Sequence, residues 1–273
     1  MEAICSMAQR YSLVYRNLGP LIGDLWSTLR SWPGQRRHYK IVLSEEAKTT
    51  IRLWRSFLIA SELQANRGKP RGRDIDSFRV RYPSFTLEFD GSLKGLGFRI
   101  FIILDGRETL LYSGAVLLSF ELLGLARYQN AMELAAVVCG LASLANRGVR
   151  RSAIRLRGDS MSVLEWTADS QTTFKSTIAR SAAMLFSAIT GRFDLNIDKN
   201  WQHLSSEQNG VCDDLSRDIH ISNDLVGPEG LHTTDSHPYL RQIMQLCNPL
   251  DNPESDVDYA DRWARIDSVL SGL

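Results

Sequence analysis

The spacing of apolar positions along the chain predicts two regions with different secondary structure. Apolar residues recur at helical spacing over 18–29 and again over 51–58, which predicts a small helical module within residues 1–64. Residues 65–81 are polar and rich in Arg and Gly, a composition typical of a linker. The apolar period then shortens to two from Phe85, so a β-rich domain is expected after the linker.

The β-rich region predicts a sheet covered by helices. Three strands come first, around 85–89, 97–104 and 109–118, and the turn sequence Asp105-Gly106-Arg107 joins the last two. The later elements are a helix over 130–146, a strand over 152–157, a short helix after Asp159, a helix over 173–190, a strand over 193–201 and a helix from about Glu207. This order predicts an α/β fold, with a mixed five-stranded sheet whose first three strands are antiparallel and whose faces carry helices, over residues 82–220.

Composition places the chain among ordinary globular proteins. It has 273 residues, of which 44% are hydrophobic and 23% charged, and it contains neither an apolar run long enough to span a bilayer nor the apolar core of a secretory signal. We therefore expect a soluble, intracellular protein without a membrane partner. The four cysteines are scattered, which favours idle thiols over a zinc cluster or a disulfide framework.

Charge is unevenly distributed along the chain. Residues 1–82 hold 15 Lys and Arg against 7 Asp and Glu, whereas residues 221–273 hold 3 against 9. The basic front suits contact with a phosphate backbone. The acidic end, 221–273, is expected to be a solvated or weakly ordered tail with a short helix from Tyr259 to Leu270.

Three acids stand at the ends or starts of the predicted elements, and each also has an ordinary structural explanation. Asp90 ends the first strand and precedes a glycine-rich stretch, so it could be a turn residue. Glu133 lies at the edge of the apolar stripe of its helix and faces the sheet, although an acid near a helix start also favours the helix dipole. Asp159 follows a strand and precedes a helix, where an aspartate commonly caps the helix.

A fourth acid lies in the last predicted helix. A helical wheel places both Asp213 and Asp214 away from the apolar face formed by Val211, Leu215 and Ile219. Either acid could therefore be a solvated surface residue, and periodicity does not choose between them.

Taken together, the four motifs resemble a known family. The ordered set is Asp90-Gly91-Ser92, Glu133 within Asn-Ala-Met-Glu-Leu-Ala-Ala-Val, Gly158-Asp159-Ser160 after a strand, and Cys212-Asp213-Asp214-Leu215-Ser216-Arg217. It is similar to the four-carboxylate pattern of ribonuclease H, most of all in reverse-transcribing retroelements. The resemblance covers about 85–217 and identifies Asp213 as the fourth acid.

The resemblance implies a function and a set of ligands. A ribonuclease H-like fold would use Asp90, Glu133, Asp159 and Asp213 to bind two Mg²⁺ ions, for which Mn²⁺ can substitute, and would hydrolyse the RNA strand of an RNA–DNA hybrid. Four converging carboxylates repel one another unless cations neutralise them, and ligation by oxygen alone suits these ions better than zinc. His203 is the candidate for a catalytic histidine before the last helix, or alternatively a packing residue at the end of the last strand.

The same resemblance extends to the front of the chain and to possible partners. Residues 18–58 resemble the segment that connects polymerase and ribonuclease H domains in such elements, so a polymerase domain or subunit of the same element is an expected partner. The sequence has no Tyr-x-Asp-Asp motif, and no polymerase activity is expected. Two alternatives stay open: a catalytically inactive ribonuclease H fold that binds nucleic acid or protein, and a related DNA nuclease.

Overall fold

The structure is a computed structural model that describes Lys48, Ile51 and residues 82–118, 128–168, 177–247 and 259–273. Lys48 and Ile51 are helical. The remainder of the expected helical module at 1–64, and the linker at 65–81, lie outside the described residues.

Three antiparallel strands form the centre of the sheet. They are β1 (Pro83–Gly91), β2 (Gly95–Leu104) and β3 (Arg107–Leu117). Leu87 and Phe89 of β1 are fully buried, because alternate residues of a strand share a face. Asp105 and Gly106 close the β2–β3 hairpin with φ of 50° and 75°, the left-handed conformation that a tight two-residue turn requires. The three predicted strands are confirmed.

Parallel strands extend the sheet on both sides. They are β4 (Ala153–Gly158), the two-residue strands β5 (Asn196–Ile197) and β6 (Gln202–His203), and β7 (Leu231–His232). The strand order is β5–β4–β1–β2–β3–β7, with β6 also paired to β4. Strand β4 runs parallel to β1, whereas β1, β2 and β3 are mutually antiparallel. The predicted mixed sheet with three antiparallel leading strands is therefore confirmed.

One predicted strand is interrupted. The single strand expected over 193–201 is present only as β5 and β6, which pair with opposite ends of β4. Between them the backbone N–H of Asn200 donates to the Asp198 carboxylate at 3.0 Å. This local turn takes the backbone out of the ladder, a competition with strand pairing that short polar side chains commonly cause.

Helices cover both faces of the sheet. They are α1 (Gln129–Asn146), α2 (Met161–Ala168), α3 (Thr177–Phe193), α4 (Gly210–Ser216), α5 (Pro238–Cys247) and α6 (Tyr259–Ser271), with a 3₁₀ helix at Asn223–Leu225. A Cβ on Gly140 of α1 would meet the side chain of Leu87, whereas one on Gly97 would meet α4. Gly97 pairs with Asp90, which is three residues from Leu87 along β1, so α1 and α4 lie on opposite faces.

The end of the chain differs from the sequence expectation. Helix α5 and strand β7 fall where only loop was expected, and Leu240, Ile243 and Ile266 are almost completely buried in the core. The expectation of a solvated tail is wrong for these residues, because net charge hid an amphipathic pattern. Pro238 begins α5 at a position where the missing N–H costs no helical hydrogen bond. Among the described residues, no helix is long and apolar enough to cross a membrane.

Candidate metal centre

Asp90 lies within the sheet rather than in a turn. It pairs with Gly97 across the β1–β2 ladder, and the residue is only 4% exposed. The turn follows it, closed by the backbone N–H of Ser92, which donates to the Gly95 carbonyl at 2.8 Å. The turn explanation for Asp90 therefore does not hold.

Glu133 lies at the same end of β1, on helix α1, which packs on the opposite face of the sheet from α4. Its carboxylate accepts the Gly91 N–H and a side-chain N–H of Gln129, each at 3.2 Å, and Gln129 also donates to the Gly91 carbonyl. Because α1 begins at Gln129, Glu133 is in the second turn, where the helix dipole contributes little. A Cβ at Gly91 would stand 2.3 Å from the Glu133 nitrogen, so this close approach of strand and helix requires glycine.

Asp159 comes to the site because β4 is parallel to β1. The carboxyl ends of adjacent parallel strands meet at one edge of a sheet, and Asp159 directly follows β4 there. Its two carboxylate oxygens accept hydrogen bonds from the Asn209 amide at 3.3 Å and the Ser206 hydroxyl at 3.5 Å.

These three acids converge on one point. One carboxylate oxygen from each of Asp90, Glu133 and Asp159 lies within 4.8 Å of the others. Burial, followed by the charge of Asp90, raises the pKa of Glu133 to about 8. Burial also raises the pKa of Asp90 to about 6, against the hydrogen bond from Ser216, and the charges of Asp159 and Asp213 add to the rise. The cluster therefore resists holding three negative charges without a cation.

A neighbouring buried acid, Glu88, differs from the three clustered acids in its ion pairs. Glu88 precedes Asp90 by two residues on the same face of β1, and it is 9% exposed. Its carboxylate is paired with Arg99 at 3.1 Å and with Arg157 at 3.4 Å. Glu88 thus has two ion pairs, whereas the three clustered acids form none with the part of the chain that the structure describes. An oxygen-only donor set with excess negative charge fits a hard divalent cation such as Mg²⁺ or Mn²⁺.

Asp213 lies beside this cluster but not in it. The group of three within 4.8 Å does not contain it, and its carboxylate accepts the Nε–H of Arg217 at 2.7 Å. This hydrogen bond raises the pKa of Arg217. Asp213 is nevertheless near enough to Asp90 for its charge to raise the pKa of that acid.

His203 stands at the rim on the Asp159 side. It belongs to β6, and its Nε2 is 3.2 Å from the backbone carbonyl of Asp159. The imidazole is exposed, and its backbone pairs with Gly158 of β4. The structure therefore places His203 next to the acids and at the end of a strand, and its exposed ring favours a role at the rim over packing.

Helix α4 contributes two polar residues whose contacts with the cluster the sequence analysis did not identify. The Asn209 amide, just before the helix, donates to the Phe89 carbonyl at 3.1 Å and to Asp90 at 3.4 Å, besides Asp159. The Ser216 hydroxyl donates to Asp90 at 2.5 Å. Their separation of seven residues, two helical turns, places both on one side of α4, and that spacing was available as a signal.

Helix α4 can approach the acids because the residues of β2 that it packs against are glycines, which have no side chain. A Cβ on Gly97 would lie 2.2 Å from the Cys212 carbonyl, and one on Gly95 would lie 2.9 Å from the Ser216 carbonyl. Any larger residue at these two positions would push the helix outward. The glycine-rich sequence after Asp90 thus makes room for the helix as well as for the turn.

Comparison with known proteins finds similarity in solved structures alone. The sequence matches no protein-family model and no curated protein. Solved structures that resemble it include the N-terminal ribonuclease H domain of rv2228c from Mycobacterium tuberculosis, at 17% identity and a TM-score of 0.39, over 50% of this chain and 97% of that one. Ribonuclease H1 from Halobacterium salinarum has 19% identity and a TM-score of 0.36, over 48% and 92%. LC11 ribonuclease H1, obtained from compost and solved in complex with an RNA/DNA hybrid, has 14% identity and a TM-score of 0.39, over 50% and 95%.

Proposed function

We propose that this protein is a metal-dependent endoribonuclease that hydrolyses the RNA strand of RNA–DNA hybrids. The observation that carries the proposal is the convergence of Asp90, Glu133 and Asp159 from two strands and a helix on one point. A mixed sheet with this strand order carries the three acids in the order that the sequence motifs have in ribonuclease H. The alternative of turn, dipole and cap residues does not account for three acids brought together from distant parts of the chain.

The acids and their polar neighbours would have distinct roles in this reaction. Asp90, Glu133 and Asp159 would hold the first Mg²⁺, and Asp213 would join them for a second, after exchanging its hydrogen bond to Arg217 for a metal contact. When bound, the two ions supply an activated water and stabilise the departing 3′ oxygen, which yields 5′-phosphate and 3′-hydroxyl ends. Asn209 and Ser216 each donate a hydrogen bond to the Asp90 carboxylate. The exposed His203 would receive or deliver protons at the rim.

Positive charge beside the acids would position the substrate. Arg217 is half-exposed next to Asp213, and Lys94 is exposed in the turn between β1 and β2. Both can meet a phosphate backbone, which accounts for most of the affinity in nucleic-acid binding. We further propose that residues 82–220 carry the nuclease site, while β7, α5 and α6 complete the same sheet and core. We also propose that the enzyme serves a reverse-transcribing retroelement together with a polymerase domain or subunit. That context is supported by the motifs resembling those of retroelement enzymes.

The test is cleavage of a labelled RNA–DNA hybrid by the full chain with Mg²⁺ or Mn²⁺. We expect Asp90→Asn to lower the rate by more than about a hundredfold, the scale of losing one preorganised charged group at a reacting centre. Asp224→Asn, an exposed acid in the 3₁₀ helix, is the matched control and should retain full activity. The same assay on Asp213→Asn and Asp214→Asn identifies the fourth acid.

Each alternative predicts a different result. If folded wild type binds the hybrid with no cleavage under either metal, the catalytically inactive binding module is the better account. If it cleaves duplex DNA and leaves the hybrid intact, the protein is a related DNA nuclease. Cleavage of the hybrid that survives Asp90→Asn unchanged would show that the activity lies elsewhere.

A further inference from the structure

Ser216 is a buried residue that is hydrogen-bonded to the candidate metal centre. It is the last residue of α4 and is fully buried. Its hydroxyl lies 2.5 Å from a carboxylate oxygen of Asp90 and 2.9 Å from the backbone carbonyl of Asp213. A hydroxyl has one proton to donate, and the shorter contact to a charged acceptor is the stronger of the two.

The backbone of Ser216 is also held in place. Its carbonyl accepts the Ser92 hydroxyl at 2.7 Å, and the same Ser92 oxygen accepts the backbone N–H groups of Lys94 and Gly95 at 3.0 and 3.1 Å. Ser216 is therefore fixed at two atoms, its carbonyl to the turn after β1 and its hydroxyl to Asp90 at the end of β1. The serine bridges the helix and the strand that carry two of the candidate ligands.

We propose that Ser216 is a positioning residue that sets the orientation of the Asp90 carboxylate for cation binding. The proposal rests on the proposed function, because it concerns the same centre. One oxygen of Asp90 is held by Ser216 and the other by Asn209 at 3.4 Å, so both ends of the carboxylate are constrained from α4. A carboxylate held in this way binds a cation without first losing rotational freedom, and it is stabilised in its charged form by the hydroxyl.

The competing explanation is that Ser216 only closes the last turn of α4. Its contact with the Asp213 carbonyl, three residues earlier, is the kind of local bond that serines make within helices. A role confined to the helix would make Ser216 important for stability and irrelevant to cation affinity. The two explanations therefore predict different results for metal binding at equal stability.

The experiment measures Mn²⁺ binding to the full chain by calorimetry without nucleic acid, beside hybrid cleavage. The variants are Ser216→Ala, which removes the hydroxyl, and Ser216→Thr, which keeps it. Ser113→Ala is the matched control, since Ser113 is a buried serine of β3 whose hydroxyl donates to the Leu225 carbonyl at 3.4 Å. Urea unfolding in EDTA records the stability of each variant.

Ser216→Ala should bind Mn²⁺ about 10- to 100-fold more weakly, as is usual when a hydrogen-bond partner of a metal ligand is removed. We expect kcat to fall by a similar factor with little change in KM for the hybrid. Ser216→Thr should bind Mn²⁺ more tightly than Ser216→Ala does, because it retains the hydroxyl. Ser113→Ala should bind Mn²⁺ as wild type does. Wild-type affinity in folded Ser216→Ala would overturn the proposal.

Two further comparisons make every outcome decisive. If Ser216→Ala does not fold, Ser216→Thr and Ser216→Val replace it. These two variants have side chains of similar shape, and only threonine has the hydroxyl. Equal Mn²⁺ affinity of the two variants overturns the proposal. A wild type that binds Mn²⁺ without cleaving the hybrid refutes the proposed function alone, provided Ser216→Ala still weakens binding. A wild type that binds Mn²⁺ no better than Asp90→Asn refutes both.

Discussion

Replacing Glu133 with Gln should make the metal-free protein more stable at high pH. The pKa of Glu133 is raised from 4.5 to about 8, first by burial and then by the charge of Asp90. The folded state therefore keeps a proton that the unfolded chain releases above pH 4.5. Stability is fully present below that pH and falls as pH rises towards 8. Glutamine does not ionise, so it removes this loss.

The magnitude follows from the size of the shift. At about 1.4 kcal/mol per pH unit, the wild type loses roughly 4 kcal/mol through this group by pH 8. The glutamine carbonyl still accepts the Gly91 N–H, but its amino group opposes that of Gln129, which costs about 1 kcal/mol. We expect a net gain of about 3 kcal/mol for Glu133→Gln at pH 8.

The assay is urea unfolding in EDTA, measured for both proteins at about pH 5 and about pH 8. Asp90 and His232 also change protonation over this range, but they do so in both proteins, so the difference between variant and wild type isolates Glu133. Saturating Mg²⁺ should remove most of this difference, since at a hundred times its dissociation constant a ligand adds about 2.7 kcal/mol to the protein that binds it. An equal pH slope for the two proteins in EDTA would refute the reasoning.

Two further predictions concern the packing of α4 and a buried histidine. Gly97→Ala should cost about 1–3 kcal/mol of folding free energy and reduce hybrid cleavage, because its Cβ would lie 2.2 Å from the Cys212 carbonyl and displace the helix. Gly210→Ala, with nothing within 4 Å of its Cβ, is the control in urea unfolding, and equal stability of the two variants would contradict the prediction. Burial lowers the pKa of His232 to about 4, and this ring is stacked on Tyr112 at 4.1 Å. The unfolded chain therefore takes up a proton first, and the contribution of His232 to stability should fall by about 3 kcal/mol as pH drops from 6.5 to 4. His232→Phe should lose less stability over that range, and an unchanged pH dependence of the urea midpoint would argue against the assignment.

The order of elements and the identity of the clustered acids were accessible from the sequence. Alternation of apolar and polar residues around Leu87 and Phe89 predicted a strand because successive side chains of a strand point to opposite faces of the sheet. The apolar stripe of α1 predicted that helix, and it also placed Glu133 facing the sheet. These are local properties, in which each side chain responds to the geometry of its own element. The ribonuclease H motifs predicted that four acids group together, which periodicity alone left open, and the structure brings three of them within 4.8 Å of one another.

Contacts between distant elements were decided by the tertiary structure. Whether Asp90 was a turn residue or part of a cluster depended on β4 lying parallel beside β1, and strand pairing is a property of two segments rather than one. The same holds for Ser216, whose hydroxyl meets Asp90 across 126 residues of sequence. Acidic net charge at the end of the chain concealed α5, because stability depends on the buried face of a helix and not on its total charge. Sequence patterns thus determined which residues form each element, while packing determined which of them meet.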